Sequence, residues 1–309
     1  MYLFHLIGVR NARTRAFDTM AKMTSGSARQ HHYVPRLLLR PWTIDRNLHG
    51  YYWDEVNQDV RVRTRGVNAF CHKLDLLSLE TSMVPSDALE NEFFGRVDNL
   101  GAKVAVKLLK NGPTGLTAEE RSGFGRLLLS LDARRPVNVA AMKVKGARRF
   151  EKELDHDPEL LEAFKREGID KTPSEFWCDA TQASLADHAL LRIQKLVENE
   201  KVGTVLINAH WRVYHLSSGD GSFVLSDRPL IRTGGYDQPK TVWALPLSPK
   251  AVFVASNSLS VIQNLDSHTP LKLRKRINES SLNQVDRYVF MIDESNLPLV
   301  SKRLKMLGE

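Results

Sequence analysis

Hydrophobic periodicity changes twice along this 309-residue chain, and the order of those periods restricts the fold more than any single motif. From Gly50 to Arg65 the pattern is strand-like, with Tyr51-Tyr52-Trp53 followed by alternating Val60-Arg61-Val62-Arg63-Thr64-Arg65. Asn57-Gln58 falls where a hairpin turn belongs. Strand alternation sends Arg61, Arg63 and Arg65 to one face and Val60, Val62 and Thr64 to the other. That face is either solvated or part of a surface for an anionic ligand.

Residues 86–201 read as helices. Leu89, Phe93, Val97, Leu100, Val104 and Leu108 recur at spacings of three and four, as one buried stripe requires. Asn111-Gly112-Pro113 closes that helix. Thr117-Ala118-Glu119-Glu120 is a capping box that opens the next, and Pro136 breaks or kinks the path after Arg134-Arg135. A second capping box, Thr172-Pro173-Ser174-Glu175, predicts a helix running to about Glu200. From Gly203 the signal returns to short strands: 204–207, 211–216, 223–225, 242–245 and 251–254, punctuated by glycine and proline. A helix over 278–287, a strand over 288–292 and a helix over about 296–306 complete the reading. The expected class is α+β, with a small N-terminal β element, a helical middle region and a predominantly antiparallel C-terminal sheet.

The first 23 residues are expected to be a disordered extension or a stretch upstream of the true start, since Met20 and Met23 precede the polar Thr24-Ser25-Gly26-Ser27. Residues 24–309 are expected to form a single domain, with 86–201 as its helical subregion and 202–293 as its β-rich one. No apolar run approaches the roughly 18 residues of a membrane span, so no membrane partner is expected. Cys71 and Cys178 are too few for a disulfide framework, which makes a reducing cytoplasm the default setting. The net charge of +8 is uneven: residues 1–65 hold 11 Lys/Arg against 5 Asp/Glu, and 202–309 hold 13 against 9. Basic ends of this kind suit a polyanion such as nucleic acid.

Chemistry concentrates in Gln30-His31-His32-Tyr33-Val34-Pro35-Arg36, followed by Leu37-Leu38-Leu39-Arg40. Imidazole is the side chain best suited to proton transfer and metal binding near neutral pH. Two neighbours on an extended segment point to opposite sides, so His31 and His32 cannot both face one ion without a turn. One of them is expected at a site shared with Asp227, while the other anchors the segment. Alternatively, a ring nitrogen anchors the following 35–42 helical segment.

Asp227 lies at a strand end, where it can bind a metal, orient a histidine or act as a base. The competing reading is an Asx-turn onto a backbone N–H two residues on. Glu90, Glu92, Arg134 and Arg135 form a third group. An arginine there suits phosphate or carboxylate, against a plainer role as an ion pair across packed helices. His210 and His215 are read as structural, and Lys272-x-Arg274-Lys275-Arg276 as a basic tract in a loop. There is no phosphate-loop motif, no Gly-x-Ser-x-Gly elbow, no His-Glu-x-x-His and no paired CxxC.

Three stretches occurring in order carry a resemblance. The His-His-Tyr-Val-Pro-Arg opening, Phe223-Val224-Leu225-Ser226-Asp227-Arg228-Pro229 and Pro246-Leu247-Ser248-Pro249 together resemble the largely bacterial family called domain of unknown function 4238. Leu225 stands where that pattern usually has a hydroxyl residue, and Asn283 is a weaker fourth match. The resemblance spans about residues 30–293 and implies one family-length domain without assigning an activity.

The candidate catalytic residues are therefore His31, His32, Asp227, Arg36, Arg134 and Arg135. Base, metal anchor and charge stabiliser are the groups phosphoryl chemistry uses, so a nuclease-like, phosphodiester-acting enzyme is the first expectation, with a divalent metal admitted but not required. The alternative is a non-enzymatic regulatory or interaction module that binds nucleic acid or protein through its basic ends.

Overall fold

The structure, a computed structural model, describes residues 30–81, 85–236 and 238–308. The expected N-terminal extension, 1–23, lies outside the described residues. The class is α+β, with N-terminal strands, a helical middle and a C-terminal antiparallel sheet.

In chain order, β1 (Gln30–His32) leads into the one-turn helix α1 (Arg36–Leu39) and a tighter turn, Arg40–Trp42. The hairpin follows as β2 (Leu48–Asp54) and β3 (Asp59–Arg65), then β4 (His72–Leu74). Asp54 closes the hairpin turn by accepting the Val56 and Asn57 amides, and Gln58 takes the left-handed conformation that ends it. Beyond the wide turn Leu89–Phe94 come α2 (Gly95–Asn111) and α3 (Ala118–Ala133). They are followed by α4 (Pro136–Ala141), a second wide turn Met142–Gly146, and α5 (Ala147–Asp155). The rest of the helical middle is α6 (Pro158–Arg166), α7 (Pro173–Thr181), α8 (Leu185–Leu191), α9 (Ile193–Val197) and α10 (Glu200–Asn208). The C-terminal part holds β5 (His210–His215), β6 (Leu225–Ser226), β7 (Ile231–Arg232), β8 (Val242–Ser248) and β9 (Ala251–Ser256). It ends in α11 (Leu259–Asp266), α12 (Pro270–Asn283), β10 (Val289–Phe290) and α13 (Leu297–Gly308).

Several expectations are corrected. Residues 204–207, read as a strand, lie inside α10, whose Asn199 side chain accepts the Val202 amide as an N-cap. A β-branched run loses to the cap and to helical packing there, as weak propensities do. The single helix expected from Thr172 to Glu200 is three. The capping box at Thr172 forms, but Gln182 turns left-handed and Ser184 opens a second capping box. The basic tract at 272–276 is part of α12 rather than a loop. In the first stripe Phe94, not Phe93, is buried behind Leu89. A π turn inserts one residue per turn, which converts a spacing of four into five.

The described residues cluster into two compact units whose segments interleave along the chain. One takes residues up to His31, Lys73–Arg96 and Ala133–Val197. Its core gathers Phe150, Leu154, Leu160, Phe164 and Trp177 from α5, α6 and α7. The second takes His32–His72, Val97–Asp132 and Glu198 onward.

Two antiparallel sheets organise the second unit, ordered β3-β2-β10-β6 and β5-β9-β8-β7. The β5-β9-β8-β7 sheet packs Phe223, Ala244, Val252 and Val254 against Ile262, Leu273 and Ile277 of α11 and α12. The β3-β2-β10-β6 sheet turns Tyr51, Trp53, Val60 and Val289 toward Leu297, Val300 and Leu304 of α13. Its other face therefore carries Arg61, Arg63 and Arg65, opposite Tyr52, Gly50 and Leu48 in register.

Candidate functional site

His31, Arg134 and Arg135 belong to the first unit; His32, Arg36 and Asp227 belong to the second. His31 is fully buried, and its Nδ1 accepts the Leu77 amide at 2.8 Å. An accepting Nδ1 carries no proton, so the neutral ring holds its proton on Nε2. The histidine thus anchors residue 77. Arg134, 1% exposed, follows α3 directly and lays its guanidinium carbon 4.9 Å from the Phe94 ring centroid. Phe94 ends the wide turn that carries Glu90 and Glu92. Arg135 occupies the N-cap position of α4, with Pro136 at its first helical position.

In the second unit Asp227 is 2% exposed, and its carboxylate is committed to the main chain. Oδ1 accepts the Asp286 amide at 2.9 Å; Oδ2 accepts those of Arg287 at 2.8 Å and Tyr288 at 3.0 Å. The simple Asx-turn does not form, because the residue two positions on is Pro229, which has no N–H. Burial pushes this carboxyl up to about 6, outweighing the amide hydrogen bonds that pull it down. Close by in charge, burial and then Cys71 and Asp227 hold the Tyr33 hydroxyl protonated. Burial likewise raises the Cys71 thiol well above its ordinary value. Cys71 therefore stays a protonated, packed thiol. The His32 ring is 9% exposed and lies 5.7 Å from the His72 ring.

Arg36 leads elsewhere, to an open cleft. Pro35 fixes the start of α1, and burial of Leu38, Leu39 and Trp42 turns the opposite side of this segment outward. Arg36 and Arg40, four residues apart, share that outward side. β3 delivers Arg65 to the same place, and residues 66–69 form the floor of a cleft of about 400 Å³. Arg36 donates from Nη1 to Asn68 Oδ1 at 3.3 Å, and Arg65 donates to the Thr64 carbonyl at 3.0 Å. Among the described residues no carboxylate lines the cleft and none of these three arginines is in an ion pair. Three guanidiniums on one concave surface have the geometry and charge that suit phosphate or carboxylate oxygens.

The basic surface continues along β3. Arg63 sits 5.4 Å from the Phe70 ring centroid and donates toward the Tyr288 hydroxyl at 3.5 Å. The Tyr52 ring meets the Tyr288 ring edge-on at 5.7 Å. In the sequence Arg36 and the β3 arginines stand apart; the i, i+4 spacing of Arg36 and Arg40 signals that pair, and only the fold adds Arg65. Among the described residues no group of three or more His, Cys, Asp or Glu is arranged to hold a metal ion. No described helix is long and apolar enough to cross a membrane.

The family described as protein of unknown function (DUF4238) matches residues 30–295, and the chain belongs to it. No curated protein and no solved structure matches the chain.

Proposed function

We propose that this member of the DUF4238 family is an interaction module that binds nucleic acid through the Arg36–Arg40–Arg65 cleft. The carrying observation is that three arginines from three successive or separate elements line one cleft, with no acidic residue among the described residues of its walls. Phosphate contacts by Lys and Arg supply most sequence-independent nucleic-acid affinity, and guanidinium is the group suited to phosphate geometry. The reading is tested by fluorescence anisotropy of labelled DNA and RNA oligomers, with the native protein and with Arg36→Ser/Arg40→Ser/Arg65→Ser. Binding at about 50 mM salt that fades toward about 200 mM, and drops about tenfold or more in the triple variant, supports it. Absence of binding to either polymer at low salt overturns it.

A phosphodiester-cleaving enzyme is the second reading, favoured by one observation. His32 and His72, ring to ring, lie four residues along the chain from the cleft residues Arg36 and Asn68 respectively. A neutral imidazole there supplies the general base such chemistry needs. RNA and DNA incubated with the protein and Mg²⁺ or Mn²⁺ decide between the two. Cleavage that disappears in His32→Ala selects the enzyme, and intact substrate rejects it.

A further inference from the structure

We infer that the nucleic acid taken by this surface is single-stranded, lying along the arginine face of β3 with a base against Tyr52. The inference rests on the binding reading above and deepens it. Arg61, Arg63 and Arg65 stand on one face of a strand, at two-residue steps of about 6.8 Å. A straight row of single cations at that step follows one extended phosphate backbone. A duplex instead presents one charge per about 1.7 Å of axis, on two strands that wind away from a straight row.

The aromatic groups point the same way. Tyr52 pairs in register with Arg61, is half-buried, and is held edge-on by Tyr288. An aromatic ring next to a basic row is a stacking platform, and only an unpaired base presents its face to one. Arg63 is oriented by the Phe70 ring and the Tyr288 hydroxyl, which presents it in a fixed direction. A two-stranded ribbon can in principle enter a major groove. The β2–β3 ribbon is not available for that, because its reverse face packs Tyr51, Trp53 and Val60 with Leu297 of α13. The row ends at Arg65, which also lines the cleft, so one strand reaches Arg36 and Arg40 without leaving basic surface.

The test uses the full chain, labelled dT12 and rU12, a 12-base-pair duplex, and inorganic polyphosphate as a competitor without bases. The single strands are expected to bind about tenfold or more tighter than the duplex. Tyr52→Ser is expected to weaken dT12 and rU12 by about five- to a hundredfold, as loss of one stacked base does, while leaving polyphosphate competition unchanged. Tyr52→Phe retains binding. Arg61→Ser, at an exposed position, lowers single-strand affinity a few-fold and serves if Tyr52→Ser does not fold. Duplex binding as tight as single-strand binding overturns the inference and leaves the arginine cleft standing; so does an unchanged dT12 and rU12 affinity in folded Tyr52→Ser. Polyphosphate binding with no oligomer binding, or no binding at all, overturns the nucleic-acid reading and this inference with it.

Discussion

Asp227 and Tyr288 hold each other twice. The Tyr288 amide donates to Asp227 Oδ2 at 3.0 Å, and the Asp227 amide donates to the Tyr288 carbonyl at 3.0 Å. Beyond them β6 and β10 pair antiparallel, Ser226 with Val289 and Leu225 with Phe290. The carboxylate thus extends a two-residue ladder and fixes the chain turn that presents Tyr288 to Tyr52 and Arg63.

Replacing that carboxylate leaves three amides without their acceptor. Asp227→Ala is expected to cost about 3 kcal/mol of unfolding free energy, while Asp227→Asn, which retains one carbonyl acceptor, costs about half as much. Urea denaturation of the two variants checks the order; equal, negligible losses would show that water replaces the carboxylate.

The same group sets a pH dependence. Burial pushes the folded carboxyl up to about 6, whereas an aspartate in the unfolded chain titrates near 3.9. The folded state therefore keeps its proton in a window where the unfolded chain has released it. Asp227's contribution to stability falls as pH rises from about 4 to about 6, by about 3 kcal/mol, and is level above that. The difference in unfolding free energy between the native protein and Asp227→Asn, followed across this window, is expected to shrink accordingly.

His188 acts with the opposite sign. The Trp177 indole N–H donates to its Nε2 at 2.5 Å, and burial pushes the ring down to about 4. Indole only donates, so Nε2 is an acceptor and the buried ring is neutral with its proton on Nδ1. An unfolded histidine takes up a proton near 6.5. Stability of the native protein is therefore lost as pH falls from about 6.5 to about 4, about 3 kcal/mol from this residue, and His188→Phe removes that dependence. Thermal midpoints of the two proteins across the interval measure it.

Gly50 sits under aromatic rings: a Cβ added there would lie 2.6 Å from Phe70 Cε1 and 3.2 Å from the same atom of Phe290. Gly50→Ala is expected to cost about 1–3 kcal/mol through overpacking and to move the ring that orients Arg63. Unchanged stability in chemical denaturation would show that Phe70 swings aside.

Salt titration of oligomer binding counts the arginines that meet phosphate. Each contact to a single strand contributes about 0.7 to the slope of log affinity against log salt. Arg36→Ser/Arg40→Ser/Arg65→Ser is expected to reduce that slope by about 2, and a parallel line at lower affinity would place the contacts elsewhere.

The hairpin at 48–65 was legible because alternation, turn residues and arginine placement agree at short range. The capping boxes at Thr172 and Ser184 are equally local, but the left-handed Gln182 that separates their helices carries no glycine or proline to mark it. What the chain conceals is long-range. The amides held by Asp227 lie 59 to 61 residues away, and Asn199 overrides a β-branched run only because a helix packs there. Strand alternation separates the sides to which His31 and His32 point, but that they fall in two compact units has no local signal. Arg65 joins Arg36 and Arg40 through folding alone.

β3 is the outermost strand of its sheet, seven residues long, with Val62 half exposed between two arginines. A bare strand of that length is a template on which a second copy can grow a continuous sheet. Arg61, Arg63 and Arg65 place like charges against any copy that approaches in register. The residues proposed to hold a polyanion therefore also oppose edge-to-edge pairing, and neutralising them removes that guard from the edge.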